Sequence, residues 1–141
     1  MKKILIINGP NLNLLGRRQP EIYGSVTMET ILADLRAEFA GRVQIEYYQS
    51  NHEGALIDRL QQAGFGEDRP DTVVLNAGGY THTSVALADA VAAIPIPVVE
   101  VHLSNIFARE EFRRKSLLSP HCKGTITGFG PSVYRLAILA D

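Results

Sequence analysis

Hydrophobic residues along the chain fall into two alternating kinds of segment. Short apolar runs rich in β-branched residues recur at residues 4–7, 43–48, 72–75, 98–101 and 124–127. Such runs are typical of buried parallel strands, because both faces of a parallel sheet are covered. Between the runs, apolar residues take the i, i+3, i+4 spacing of amphipathic helices. The pattern therefore predicts strands that alternate with helices.

Residues that favour helix ends support the first two predicted helices. The apolar stripe of the first helix consists of Met28, Ile31, Leu32, Leu35 and Phe39. Thr27 is its predicted N-cap, and Gly41 lies just past its end. Ser50 and Glu53 have the S-x-x-E spacing of a capping box, which predicts a second helix that ends near Gly64.

The remaining signals complete the predicted fold. Ser84 is the predicted N-cap of an Ala-rich third helix that ends before Pro95, and Pro131 is predicted at the first position of the last helix. The alternation predicts a three-layer α/β fold, in which a five-stranded parallel sheet carries helices on both faces. Ligands of such sheets bind beyond the carboxyl ends of the strands.

The composition fits one globular domain. The chain has 141 residues, of which 45% are hydrophobic and 21% charged, with a formal net charge of −1. We expect a single domain over residues 1–141. The proportions of hydrophobic and charged residues exclude a disordered or collagen-like chain. The near-zero charge gives no basic field for nucleic acid. No apolar run approaches the roughly 18 residues that span a bilayer, so no membrane partner is expected.

The start of the chain and its cysteine content indicate a cytoplasmic protein. The apolar run in "MKKILIINGP" ends at Asn8, short of the roughly 7 to 15 residues of a signal-peptide core. Cys122 is the single cysteine, so it forms no internal disulfide and is interpreted as a plain thiol. The four histidines are scattered, so no metal site is expected.

Polar side chains follow three of the predicted strands. They include Asn8, Asn11, Asn76, His102, Ser104 and Asn105. The first strand also leads into the long loop "GPNLNLLGRRQPEIYG" (residues 9–24), and the third leads into "GGYTHTS" (residues 78–84). An isolated Asn in such a place can be a turn former, and His82 can be either a ligand or a helix cap. Convergence at one edge of the sheet favours a site.

The strongest local signal lies in the fourth strand. Side chains of a strand alternate between its faces, so Glu100 and His102 in "VVEVHLSN" (residues 98–105) leave on the same face. A carboxylate beside an imidazole fixes the tautomer and suits the imidazole to donate or accept a proton near neutral pH. A purely structural ion pair is the alternative, because a buried Glu needs a partner in either case. The place of the pair at the ligand-binding edge favours function.

Two further patterns concern anions and nucleotides. Arg109 and Arg113 stand four apart, so on a helix they would share one face and could hold a carboxylate or several hydroxyls. Arg114 and Lys115 are interpreted as a solvated face. The chain has no P-loop, and Val133 takes the place of the third glycine of a dinucleotide motif.

Four motifs together resemble the type II 3-dehydroquinate dehydratases. They are "NGPNLNLLGRRQPEIYG", "LNAGGYTHTS", "EVHLSN" and "AREEFRRKS", and their order and spread cover nearly the whole chain. The resemblance implies a flavodoxin-like fold and a lyase of the shikimate pathway. It implies an anti-elimination of water from 3-dehydroquinate, through an enolate, to give 3-dehydroshikimate, with neither metal nor organic cofactor.

The resemblance also assigns the catalytic residues. It implies that Tyr23 is the base that removes the proton alpha to the ketone, with Arg18 beside it and Asn11 placing a water on the developing enolate. A free tyrosine has a pKa near 10, and a close cation lowers the pKa of an acid by roughly 1 to 3 units, which is a physical reason for the neighbouring arginine. His102, oriented by Glu100, would donate the proton that lets the hydroxyl leave. The long loop would then act as a lid.

The remaining implied residues bind substrate or a second subunit. Asn76 and the backbone of Leu103 and Ser104 match positions that hold the substrate carboxylate. His82 and Arg113 match positions that bind ring hydroxyls, and Arg109 matches a lid arginine. Asp89 matches an aspartate that reaches the site of a neighbouring subunit, so a homododecamer built from trimers is implied. Gln19 departs from the pattern where an acidic residue is expected, and the early stop after "YRLAILAD" is expected to shorten the last helix.

Two other classes of function stay open on the residues. One is a non-catalytic flavodoxin-like module that binds flavin or receives a phosphoryl group; a receiver needs acidic residues where this chain has Asn8 and Asn76, and a flavin protein would be yellow. The other is a degenerate relative without activity. The presence of Arg18, Tyr23, Glu100 and His102 argues against it.

Overall fold

A parallel sheet forms the centre of the molecule. The structure, a computed structural model, describes residues 1–17, 21 and 25–141. Within these residues the sheet has five strands in the order β2-β1-β3-β4-β5. The strands are β1 (Lys2–Asn8), β2 (Val43–Gln49), β3 (Thr72–Asn76), β4 (Val98–His102) and β5 (Gly124–Thr127). All four pairings are parallel, which confirms the predicted sheet.

Helices cover both faces of the sheet. They are α1 (Met28–Glu38), α2 (Glu53–Phe65), α3 (Val85–Ala93) and α4 (Ser132–Ala140). Side chains of β1 alternate between two buried clusters: Ile4 and Ile6 pack with residues of α1 and α4, whereas Leu5 and Ile7 pack with residues of α2 and α3. The predicted three-layer α/β arrangement is therefore confirmed. In the described part of the chain, no helix has both the length and the hydropathy to cross a membrane.

Local signals at the helix ends were partly right. The side chain of Thr27 accepts a hydrogen bond from the Thr30 amide at 3.3 Å, and Ser84 accepts one from the Leu87 amide at 2.9 Å, so both predicted N-caps are confirmed. Pro131 immediately precedes α4 instead of occupying its first position. The chain therefore enters the last helix one residue later than predicted.

The predicted capping box at the start of α2 is wrong. His52 holds the N-cap position, and the Ser50 hydroxyl accepts a hydrogen bond from the His52 amide at 3.0 Å. The Glu53 carboxylate accepts a hydrogen bond from the hydroxyl of Ser84 at the start of α3. Each partner of the predicted box thus has a different hydrogen bond, Ser50 within its own turn and Glu53 across two helices.

Arg109 and Arg113 do not lie on one helix, contrary to the expectation that they share a helical face. The segment forms two short 3-10 helices, Ile106–Ala108 and Glu111–Arg113. Arg109 lies between them in an extended conformation, with φ of −105° and ψ of −167°. Because this extended residue interrupts the helix, the four-residue spacing does not show whether the side chains of Arg109 and Arg113 point the same way.

Candidate active site

The carboxyl ends of the central strands meet at one edge of the sheet. Asn8 of β1 is paired with Asn76 of β3, and Leu75 of β3 is paired with Glu100 of β4. A cavity of about 140 Å³ lies beyond this edge, formed by the segments that follow β1, β3 and β4. Its polar lining consists of Asn11, Asn76, His82, His102, Ser104, Arg109 and Arg113. The cavity is therefore at the place where parallel sheets bind ligands.

Two glycines let the segments after β1 and β3 approach each other. A Cβ atom on Gly9 would lie 2.5 Å from the carbonyl oxygen of Ala77. Gly78 has a φ of 60°, which side chains rarely adopt, and a Cβ there would lie 3.1 Å from the carbonyl oxygen of Pro10. Larger residues at either position would push these two walls of the cavity apart.

Asn11 lines the cavity from the segment that follows β1. It adopts a left-handed conformation with φ of 71°, which Asn tolerates better than most residues. The backbone N–H of Asn11 donates a hydrogen bond to Oδ1 of Asn51 at 3.0 Å. The same oxygen accepts a hydrogen bond from the Gln49 side chain at 3.1 Å. Asn51, which no motif of the sequence indicates, thus helps to hold Asn11. Arg18, Gln19 and Tyr23 lie outside the described residues.

Glu100 and His102 form the predicted pair. Nε2 of His102 donates a hydrogen bond to Oε2 of Glu100 at 2.5 Å. Glu100 is completely buried and His102 is 5% exposed. Because Nε2 is used in this bond, Nδ1 is the other nitrogen of a ring that lines the cavity. The geometry suits His102 to transfer a proton to or from a bound molecule.

Three hydroxyl groups also contact the Glu100 carboxylate. Ser119 donates to Oε1 at 2.6 Å, Ser116 donates to Oε2 at 2.7 Å, and Thr125 donates to Oε1 at 3.3 Å. Burial by itself would raise the pKa of Glu100, but the hydrogen bonds from His102, Ser119 and Ser116 together hold this pKa below its usual range. Glu100 is therefore a carboxylate at neutral pH.

These hydroxyls were missed in the sequence. Only one signal could have found them: a Glu within a run of valines needs several donors, and "KSLLSP" (residues 115–120) supplies two serines three residues apart. Nothing in the residue spacing shows that this segment returns beneath β4. The structure adds these contacts to the pair that strand alternation predicted.

His82 also lines the cavity and is not a helix cap, since Ser84 holds the N-cap position of α3. Its Nδ1 donates a hydrogen bond to the Lys115 carbonyl at 2.7 Å, because a carbonyl can only accept. Burial lowers the pKa of His82, against the opposing effect of that hydrogen bond. The ring of His82 lies nearly parallel to that of His102, with centroids 6.4 Å apart and an interplanar angle of 24°. Neutral His82 thus presents Nε2 as a hydrogen-bond acceptor.

Asn76 is held by a buried network. Its side-chain nitrogen donates to the Tyr134 hydroxyl at 3.2 Å, and that hydroxyl donates to Oδ1 of Asn8 at 2.8 Å. Oδ1 of Asn76 accepts a hydrogen bond from the Gly78 amide at 3.3 Å. Asn8 is completely buried, so of the two strand-end asparagines it is the structural one, whereas Asn76 also lines the cavity. Burial raises the pKa of Tyr134, which keeps its hydroxyl protonated.

The segment after β4 is anchored to the end of β5. The carbonyls of His102 and Leu103 accept hydrogen bonds from the amides of Gly128 and Gly130 at 3.1 and 2.9 Å. The Ser104 carbonyl accepts one from the Thr127 hydroxyl at 2.9 Å. Leu103 and Ser104 therefore form a fixed part of the cavity wall.

Arg109 and Arg113 reach the cavity although they lie on separate short elements. Nε of Arg113 donates to the Glu110 carboxylate at 2.7 Å, and this hydrogen bond lowers the pKa of Glu110. Among the described residues that line the cavity there are two arginines and no Asp or Glu. The cavity therefore favours an anionic ligand.

The structure brings most of the predicted site residues together. Glu100 lies directly behind the cavity, in contact with His102, and the polar lining contains the predicted binding residues. Asp89 is the exception in the described part of the chain, because it is exposed on α3 and is not among the lining residues. The described residues contain no group of three or more His, Cys, Asp or Glu that could hold a metal ion. The arrangement combines an anion-binding wall with a proton-transfer pair.

Comparison with known proteins agrees with this geometry. The family model for class II dehydroquinases matches residues 2–140. A 3-dehydroquinate dehydratase of Rhizobium johnstonii is 55% identical and covers 97% of this chain and 93% of the relative. One of Caldicellulosiruptor bescii is 51% identical, with coverages of 99% and 96%. A crystal structure of the type II dehydroquinase from Butyrivibrio crossotus superposes with a TM-score of 0.93 at 45% identity, with coverages of 99% and 96%. The chain therefore belongs to the class II dehydroquinase family.

Proposed function

We propose that this protein catalyses the dehydration of 3-dehydroquinate to 3-dehydroshikimate, a step of the shikimate pathway. The observation that carries the proposal is the Glu100–His102 pair at a cavity with two arginines and no lining carboxylate among the described residues. A proton donor and a wall that favours anions suit the removal of a hydroxyl from a carboxylate substrate. The family relatives, which are 3-dehydroquinate dehydratases, do not favour a non-catalytic flavodoxin-like module.

The elimination requires a base and an acid. We infer that Tyr23, with its pKa lowered by Arg18, takes the proton alpha to the ketone, so that the electrons of the C–H bond form an enolate. His102, doubly protonated, then donates the proton on Nδ1 to the leaving hydroxyl, the C–O bond breaks, and water departs as the enolate electrons form the conjugated double bond. Asn11 would place a water on the developing enolate. The support is the position of His102 and Asn11 in the lining and the sequence pattern that contains Arg18 and Tyr23.

The other lining groups suit the substrate's functional groups. Asn76 and the backbone of Leu103 and Ser104 would hold the carboxylate, and Arg109 would add positive charge near it. His82 and Arg113 would bind ring hydroxyls, with Nε2 of His82 as an acceptor because Nδ1 donates to Lys115. This division follows donor and acceptor types, since a hydroxyl can donate to an imidazole and accept from a guanidinium.

We further propose that the chain acts as one catalytic domain and assembles into a homododecamer of trimers in the cytoplasm. Family resemblance supports the assembly, together with the exposed position of Asp89 outside its own cavity. Sedimentation at equilibrium would test it, with an expected mass twelve times the 15.5 kDa of the chain. A monomeric or trimeric mass would contradict the proposed dodecamer.

The activity is tested by ultraviolet absorbance. Purified protein treated with a chelator and then desalted is mixed with 3-dehydroquinate, and the rise from the conjugated enone of the product is recorded. A fast rise is the expected result. Confirmed binding by calorimetry without a rise would contradict the catalytic proposal, and a yellow preparation would point to the flavin alternative.

Tyr23→Phe tests the proposed base. Removal of the hydroxyl should lower kcat by about a thousandfold or more and leave substrate binding nearly unchanged, because general-base transfer is lost but the carboxylate contacts remain. Tyr48→Phe, a half-buried tyrosine of β2, is the matched control. A Tyr23→Phe rate equal to that of the unmodified protein would remove Tyr23 from the mechanism.

A further inference from the structure

The carboxylate of Glu100 is surrounded by hydroxyl donors that do not reach the cavity. Ser116 and Ser119 contact its two oxygens at 2.7 and 2.6 Å, and Thr125 makes a longer contact at 3.3 Å. None of these three is among the residues that line the cavity. Their side chains contact the site through Glu100, which in turn contacts His102.

The contacts divide evenly between the two carboxylate oxygens. Oε2 accepts from His102 and Ser116, and Oε1 accepts from Ser119 and Thr125. A protonated carboxyl would have to donate in place of accepting at one of these oxygens, so the arrangement favours the charged form. It also fixes the rotation of the carboxylate, because both oxygens are held from two directions.

We propose that Ser116 and Ser119 are positioning residues for the dehydration. They keep Glu100 ionised and aimed so that His102 holds one proton on Nε2 and presents Nδ1 to the cavity, where Nδ1 takes up from solvent the second proton that it donates to the leaving hydroxyl. The proposal rests on the function proposed above, in which His102 donates the proton to the leaving hydroxyl. A carboxylate that rotates or becomes neutral would release the ring to its other tautomer, so that Nε2–H is no longer held and the doubly protonated donor loses the negative charge that stabilises it.

The two serines differ in their other contacts. Ser116 also accepts hydrogen bonds from the amides of Leu118 and Ser119, each at 3.1 Å, so its loss would alter the backbone of the segment. The hydroxyl of Ser119 contacts Glu100 and the Thr125 hydroxyl, and the residue is half-buried. Ser119 is therefore the better position for a substitution that removes one hydroxyl and little else.

The experiment compares Ser119→Thr with Ser119→Val. Thr and Val have nearly the same shape, so the pair differs mainly in the hydroxyl. We expect Ser119→Val to have a kcat about tenfold lower than Ser119→Thr, from the loss of a hydrogen bond to a charged group, with KM changed less than about twofold. Thr30→Val, which removes an exposed hydroxyl of α1, is the matched control and should leave both constants unchanged.

Nitrogen NMR of protein with ¹⁵N-labelled histidine supplies a readout that packing alone would not move. The His102 signals are assigned by their loss in His102→Gln. Ligand-free Ser119→Thr should show neutral His102 as one tautomer with the proton on Nε2. Ser119→Val should show both ring nitrogens shifted toward the values of mixed tautomers. Thermal melting of each variant corrects the rates for the folded fraction.

Two results would overturn the proposal. One is equal kcat in the Thr and Val variants after that correction; the other is an unchanged His102 tautomer in Ser119→Val. The NMR comparison uses ligand-free protein and does not require turnover. Protein without dehydratase activity would therefore count against the proposed function, while the tautomer result would still decide the positioning role.

Discussion

At the scale of single residues, the central feature is a charge inside a sheet. Glu100 has no exposed surface, and an isolated carboxylate in that position would cost several kcal/mol. His102 and three hydroxyls offset this cost by hydrogen bonds to both oxygens. The same contacts that make the charge tolerable also direct the imidazole, so stability and function depend on the same atoms.

Substitution of His102 should separate binding from proton transfer. In His102→Gln an amide can still donate to Glu100, so the buried carboxylate keeps a partner, but the amide cannot transfer a proton. We expect kcat to fall by about 100- to 10,000-fold with little change in substrate affinity. Calorimetry and the enone assay measure the two quantities. His52→Gln, at an exposed histidine before α2, is the matched control, and a similar loss there would rule out a specific effect.

Glu100 should also make stability depend on pH. Its pKa is lower in the folded protein than in the unfolded chain, where a glutamate has a pKa of about 4.3. The unfolded state therefore binds the proton more tightly, so the stabilisation is present above about pH 4.3 and is lost as pH falls through the lower folded value. Glu100→Gln should remove this part of the acid sensitivity.

Urea unfolding at several pH values measures the effect. The free energy of unfolding should fall less steeply below about pH 5 in Glu100→Gln than in the unmodified protein. Glu67→Gln, at an exposed residue beyond α2, supplies the control for loss of one negative charge. Parallel pH curves for the unmodified protein and Glu100→Gln would contradict the assigned pKa direction.

The pairing of Glu100 with His102 could be predicted from the sequence because residues two apart in a strand share a face. The hydroxyls of Ser116 and Ser119 could not, because they reach Glu100 through tertiary contacts between β4 and a segment 16 to 19 residues further along the chain. Alternation gives direction within one strand. It gives no information about which distant segment packs against that face of the strand.

At the scale of secondary-structure elements, α4 supplies a side chain that supports the strand ends beside the cavity. Its Tyr134 is completely buried and bridges Asn8 at the end of β1 and Asn76 at the end of β3. Tyr47 of β2 also contacts the Asn8 side chain, at 3.4 Å. The network fixes which end of the Asn76 amide faces Tyr134, and so determines which groups it can offer to a ligand.

Tyr134→Phe should therefore weaken substrate binding although Tyr134 does not line the cavity. Without the hydroxyl, Asn8 and Asn76 each lose a buried hydrogen bond, with an expected cost of about 1 to 3 kcal/mol in unfolding free energy. KM should rise by severalfold, because Asn76 can turn, and kcat should change less. Denaturation and steady-state kinetics measure these changes. Tyr48→Phe is the control, and an unchanged KM in Tyr134→Phe would show that Asn76 needs no such support.

The strands and helices were predictable because burial on one or two faces leaves a periodic record in the sequence. The geometry of the turns was less predictable. The Ser50–Glu53 pattern fitted a capping box, yet Glu53 bonds instead to Ser84, a partner that only the packing of α2 against α3 supplies. Likewise, the spacing of Arg109 and Arg113 could not reveal the extended residue that divides their segment into two short helices.

At the scale of the whole molecule, net charge and local charge differ. The chain carries a formal charge of −1, yet the described cavity lining has two arginines and no carboxylate. Overall composition therefore could not predict the anion preference, which depends on where a few side chains converge. The same limit applies to assembly, because one chain's sequence pattern shows what is buried within it and not what a second copy covers.

Asp89 provides the test at this scale. It is exposed on α3 and separate from the cavity of its own chain, while family resemblance assigns it to the site of a neighbouring subunit. If that assignment is correct, Asp89→Asn should lower kcat/KM by about tenfold or more, since a hydrogen-bonded charge is lost from each site. Asp58→Asn, at another exposed aspartate on α2, is the matched control. Activity of the Asp89→Asn protein equal to that of the unmodified protein would show that Asp89 is not part of the site.

Mixed oligomers then distinguish a shared site from a local structural effect. Asp89→Asn chains keep an intact His102, and His102→Gln chains keep an intact Asp89, so neither variant alone forms a complete site. When the two are co-expressed with different tags and purified through both, a site is complete where an Asp89→Asn chain receives Asp89 from a His102→Gln neighbour. Random mixing in a closed ring predicts complete sites at about a quarter of positions. Activity near that fraction of the unmodified rate is expected, whereas the simple average of the two variant activities would show that each chain uses its own Asp89 or none.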